Sequence, residues 1–125
     1  MQIAILAHGV ILKEAWEASA ILNKKGYKTA VFSICKLWPF DKKLVINLSK
    51  KTKAIFTLEE HLITGGLGSI VAEILSEHSN KIIFKRLGID YLIPDLIGTR
   101  DYLLSAHGLS APKIVKRILT ALNSN

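Results

Sequence analysis

The 125-residue chain has a single cysteine, Cys35, so no internal disulfide can form and the fold must be held by packing. A lone thiol suits a reducing compartment. Cys35 closes an apolar run at the end of a predicted strand, where a buried, inert sulfur is expected rather than a nucleophile. The opening residues, Met1 to Leu6, have neither a basic start nor an apolar stretch long enough for a signal peptide. No segment has the apolar length needed to cross a bilayer. Internal repeats, low-complexity tracts and linkers are also lacking. These absences lead us to expect one cytoplasmic domain over residues 1–125, with no membrane partner.

Acidic residues are scarce beside basic ones, 10 against 17, giving a net charge of +7. Basic stripes bind nucleic acid by releasing counterions. Here, however, the lysines are dispersed, at Lys24-Lys25-Lys28, Lys42-Lys43, Lys50-Lys51-Lys53 and Lys113-Lys116-Arg117. No aromatic residues interleave with them as a stacking platform requires. Lysines on outer helix faces and in the following turns serve solubility and the helix dipole, so nucleic acid is not expected as a partner. Apolar residues, by contrast, make up half of the chain. Two explanations stand side by side: a parallel sheet buried on both faces, and apolar surface reserved for a partner.

The hydrophobic period alternates along the chain. Gln2–Ala7 reads as a strand and Ile11–Lys25 as a helix, with Ile11, Ala15, Ala18 and Leu22 on its inner face and Lys13, Glu14 and Glu17 elsewhere. Gly26 supplies a left-handed stop. Lys28–Ile34 is a second strand. Asp41 is the expected cap of a helix whose inner face is Leu44, Val45 and Leu48. Ala54–Leu58 and Lys81–Leu87 read as the third and fourth strands, separated by a helix that opens at Gly65–Ser69. A loop over Gly88–Ile97, a short helix over Thr99–Ala106 and a last helix after Ser110 complete the pattern. Strands separated by helices require parallel pairing and right-handed crossovers. The expected fold is a three-layer α/β/α domain, a doubly wound, mainly parallel sheet of about four strands whose order reverses between the first and third.

That reversal places a crevice at the carboxyl ends of the strands. Its expected walls are His8-Gly9 and Glu59-Glu60-His61, closed by Gly65, Gly66, Gly68 and Ser69. A carboxylate beside an imidazole suits acid–base work or metal ligation. Adjacent strand residues point in alternate directions, though, so the three cannot all meet at one site. No nucleophile or full ligand set accompanies them, and hydrogen bonds that fix a loop or an interface are the preferred reading. The glycine-rich helix start could receive a phosphate or carboxylate. It lacks the Gly-Lys-Ser/Thr of a Walker loop and does not follow the first strand as a dinucleotide fingerprint does. Close packing of the helix on the strand ends is preferred there. His78 and His107, near helix ends, are expected in solvent.

Read together, these stretches resemble the C-terminal domain of transketolase-like thiamine diphosphate enzymes. The likeness runs through Glu14-Ala15-Trp16-Glu17-Ala18, Leu37-Trp38-Pro39-Phe40-Asp41 and Leu58-Glu59-Glu60-His61 with Gly65-Gly66-Leu67-Gly68-Ser69. It ends in Leu87-Gly88-Ile89, Asp95, Gly98 and His107-Gly108-Leu109. Two departures stand out. An antiparallel strand that usually opens the family domain has no counterpart, and neither does the Gly-Asp-Gly…Asn segment that holds the diphosphate and metal. The resemblance therefore implies a domain or subunit that is not catalytic alone and supplies no catalytic, cofactor or metal-binding residue. Thiamine diphosphate and a divalent metal belong to partner domains, with which this chain assembles; a homodimer is also open. Two alternatives remain at this stage: an independent ligand-binding or regulatory module, and the corresponding domain of a 2-oxoacid dehydrogenase beta subunit.

Overall fold

The structure is a computed structural model describing residues 2–78, 81–89 and 96–124, apart from the side chains of His61 and Leu62. Strands and helices alternate as β1 (Ile3–His8), α1 (Leu12–Lys24), β2 (Thr29–Ser33), α2 (Lys42–Lys51), β3 (Ala54–Leu62), α3 (Leu67–Glu77) and β4 (Ile83–Ile89). Two helices, α4 (Arg100–Ala106) and α5 (Ala111–Asn123), follow. The sheet order is β2-β1-β3-β4, parallel throughout, with Ile3 opposite both Thr29 and Ala54, and Ala54 opposite Ile83. The expected reversal between β1 and β3 is present.

Alternation along the central strands builds two cores. Ile3, Ile5 and Ala7 join Phe56 and Leu58 against Ala15, Ala18 and Leu22 of α1 and Ile114 and Ile118 of α5. Ala4, Leu6 and Ile55 face the other way, against Val45 and Leu48 of α2 and Leu67 and Val71 of α3. Each large apolar side chain among them contributes about 1.5–3 kcal/mol when fully removed from water, and the two-sided burial explains the apolar runs. Helix ends follow local chemistry. Gly26 takes φ 91° after α1, and Asp41 accepts the Leu44 N–H at 3.2 Å before α2. Thr99 accepts the Tyr102 N–H at 3.2 Å before α4, and Pro112 sits in the first turn of α5.

Several boundaries differ from the sequence reading. β3 continues four residues past Leu58, through Glu59 and Glu60, and its ladder resumes at Leu62 opposite Ile89 after an irregularity. Charged residues look like a strand end unless their partners are known. β4 starts and ends two residues later than expected, so Gly88 and Ile89 are strand rather than loop. Residues 90–95, which carry Asp95 of the family pattern and most of the expected loop, lie outside the described residues. Cys35 falls beyond β2 and is exposed, not buried, because the strand stops at Ser33. Among the described residues, no helix is long and apolar enough to cross a membrane.

Candidate functional site

β1 and β3 end side by side, with His8 paired to Glu59, at the point where the sheet order reverses. The ring of His8 turns aside: Nδ1 donates to the Ile34 carbonyl at 2.7 Å and ties the end of β1 to the chain leaving β2. Gly9 follows at φ 88°, making the turn toward α1.

Glu59 and Glu60 diverge, as alternation along a strand demands. Glu59 is wholly buried and reaches α3, where Oε1 accepts the Leu67 N–H at 3.0 Å and Oε2 the Gly68 N–H at 2.8 Å. The chain's own carboxylate therefore occupies the anion position at this helix start, where free N–H groups and the helix dipole favour negative charge. The glycines make room for it. A Cβ on Gly66 would overlap the Glu59 carboxylate, and one on Gly68 would lie 2.8 Å from Thr57 Oγ1. Ser69 completes the loop by accepting the Gly65 N–H at 2.9 Å and donating to the Ile63 carbonyl at 3.0 Å.

Glu60 points to the opposite face and pairs with Arg100 of α4, which also holds Glu14 of α1 at 2.9 Å. The hydrogen bonds that Arg100 donates to Glu14 first, and then to Glu60, push its pKa above its ordinary value. Sequence reasoning placed Glu14 away from the core, but it is only 5% exposed. No spacing rule links positions 14, 60 and 100, so the cluster had no signal in the chain. Beside it lies a cavity of about 440 Å3 walled by Ile89, Leu96, Leu103 and Leu104.

The nine expected residues thus separate. Glu59, Gly65, Gly66, Gly68 and Ser69 form one internally bonded unit, while Glu60 joins an ion cluster across the sheet and His8 with Gly9 shapes the first turn. The side chain of His61 lies outside the described residues. His78 is exposed, whereas His107 is half-buried, with Nδ1 donating to the Leu103 carbonyl at 2.9 Å. Among the described residues, no group of three or more His, Cys, Asp or Glu is placed to hold a metal.

A parallel α/β domain whose switch point is filled by its own glutamate defines the class. Residues 1–114 match the sequence profile described as "Transketolase, C-terminal domain", and the chain belongs to that family. It is 35% identical to one of the subunits of the apulose-4-phosphate transketolase of Actinobacillus succinogenes, over 95% of this chain and 38% of that protein. A 1-deoxy-D-xylulose-5-phosphate synthase of Rippkaea orientalis is 32% identical over 97% of this chain and 19% of its own length. Among solved structures, a split-gene transketolase described as an inactive beta4 tetramer superposes with TM-score 0.89 at 34% identity, covering 98% of this chain and 39% of that one. The chain thus spans well under half the length of these relatives.

Proposed function

We propose that this chain, residues 1–125 acting as one domain, is a non-catalytic C-terminal component of a transketolase-type enzyme, assembling in the cytoplasm with thiamine-diphosphate-binding domains or subunits. The carrying observation is the state of the carboxyl edge of the sheet. Its carboxylates are paired internally, Glu59 in the helix cap and Glu60 in the Glu14–Arg100–Glu60 cluster. At the same edge large apolar side chains stand in solvent: Val10 after β1, Trp38 after β2 and Ile97 before α4. Exposed apolar groups around satisfied polar ones suit an interface better than an active site.

The described residues do not fit the cofactor. The glycine-rich helix start that would receive a diphosphate is filled by Glu59. Thiamine diphosphate and its metal are accordingly assigned to the partner domains. The test is co-purification of the tagged chain from its native cell, with the bound chains identified by mass spectrometry. A partner carrying a thiamine-diphosphate motif is expected, in a complex that loses assembly or activity when this chain is removed. Full activity and unchanged assembly without it would defeat the reading. Sedimentation of the isolated chain decides whether it also pairs with itself.

A further inference from the structure

Among the described residues, β4 is an edge of the sheet. Ile83 donates its N–H to the Lys53 carbonyl at 3.1 Å, so Ile83, Lys85 and Leu87 face β3. Alternation then turns the N–H groups of Phe84, Arg86 and Gly88 outward. Arg86 is half-buried and held in place: Nη1 donates to the Ile63 carbonyl at 3.2 Å and to Ser69 Oγ at 3.4 Å. Its stem fills space that glycine at position 68 leaves free, since a Cβ there would sit 2.6 Å from Arg86 Cγ. Both acceptors are neutral. Among the described residues, no carboxylate pairs with Arg86, in contrast to Arg100, which has two.

Around this guanidinium lies a hollow of about 560 Å3, lined among the described residues by Ile63, Phe84, Lys85, Arg86 and Arg117, none of them acidic. Lys85 alone would be an ordinary guard against edge pairing. A half-buried arginine positioned by neutral acceptors, in a hollow that two more cations also line, exceeds what such a guard needs. Lys85 and Arg86 emerge on opposite faces of β4, and Arg117 approaches from α5. The charges therefore surround the edge instead of running along it, a shape for a compact anion more than for an added strand.

We propose that the hollow bounded by Lys85, Arg86 and Arg117 binds a doubly charged oxyanion, the phosphoryl end of a small phosphorylated metabolite. The guanidinium forks suit phosphate oxygens, and the outward N–H groups of β4 add neutral donors. The hollow adjoins the β4 side of the carboxyl edge, with Ile63 in its wall, and the proposal does not depend on the assembly reading.

The test is a titration of the isotope-labelled chain with inorganic phosphate and then pyrophosphate, followed by NMR at constant ionic strength, with chloride as control. Saturable shifts at the Phe84–Gly88 and Arg117 amides are expected, absent with chloride. R86Q and R117Q should each weaken phosphate binding on the order of tenfold, the scale of a lost charged hydrogen bond. R117Q leaves the 63–69 loop untouched, so it remains informative where R86Q disturbs that loop. Shifts that do not saturate, that centre on the Lys24–Lys28 and Lys50–Lys53 turns, or that persist unchanged in both variants would overturn the site.

Discussion

Glu59 sits in the middle of the sheet's carboxyl edge with no solvent contact, yet it remains fully bonded because two N–H groups at the start of α3 meet its two oxygens. Glu59→Gln keeps the shape but offers one carbonyl acceptor and one amide NH2 donor, which would face an N–H donor. It should lower unfolding stability by about 2–3 kcal/mol in urea denaturation. Arg100 is the counterpart on the other face. Arg100→Met leaves Glu14 buried without its cation and should cost about 2 kcal/mol, less than a fully buried pair because the Arg100 side chain is 38% exposed. Glu14→Leu in the same chain should recover most of that loss, and no recovery would show that the pair is not what holds α4. The Glu-Glu-His motif was visible in the sequence, and so was the divergence of Glu59 from Glu60. Their partners were not: Arg100 lies 40 residues from Glu60, and no motif marks the start of α3, 8 residues from Glu59, as its donor.

Elements were legible where local chemistry decides them. Asp41 and Thr99 were both placed at helix starts by residue type and context, and each accepts an N–H three residues on. Asp41→Ala and Thr99→Ala should each cost about 1 kcal/mol. The Thr99 change should act locally, because α4 has only seven residues and few internal hydrogen bonds. Faster amide exchange confined to Tyr102–His107, with the sheet amides unchanged, is the expected readout. β3 shows where local reasoning fails. Glu59 and Glu60 near its end are charged; the ladder to β4 breaks after Leu58 and resumes only at Leu62, while Glu59 stays paired with His8 of β1 and both carboxylates find partners. A polar strand end is a tertiary product.

On the scale of the whole molecule, the two ends of the sheet differ in kind. The amino edge carries Lys24, Lys50 and Lys51 at the ends of α1 and α2 and Lys25, Lys28, Lys53 and Lys81 in the turns that lead into the strands, all exposed. The carboxyl edge carries the exposed apolar groups. Trp38 is 91% exposed and Ile97 88% exposed, so neither adds to the core. The double change Trp38→Ser and Ile97→Ser should therefore leave Tm within about 2 °C, since exposed substitutions typically stay within about 0.5 kcal/mol. The same change should weaken capture of the thiamine-diphosphate-binding partner at least tenfold. Unaltered capture would move the interface elsewhere on the surface.

The alternation of strand and helix, the parallel pairing, the strand order and the family were all determined by the sequence, because period, crossover length and glycine placement are local or nearly local properties. What the tertiary structure alone decided is how the charges are used. It closed the helix start, which the sequence read as close packing, with the Glu59 carboxylate, drew the outward-reading Glu14 into a buried ion pair and left Cys35 in solvent. Each outcome depends on which distant group fills the space beside a side chain. Coulomb and hydrogen-bond energies are set by distances of a few ångströms, and residue spacing along a chain does not fix those distances.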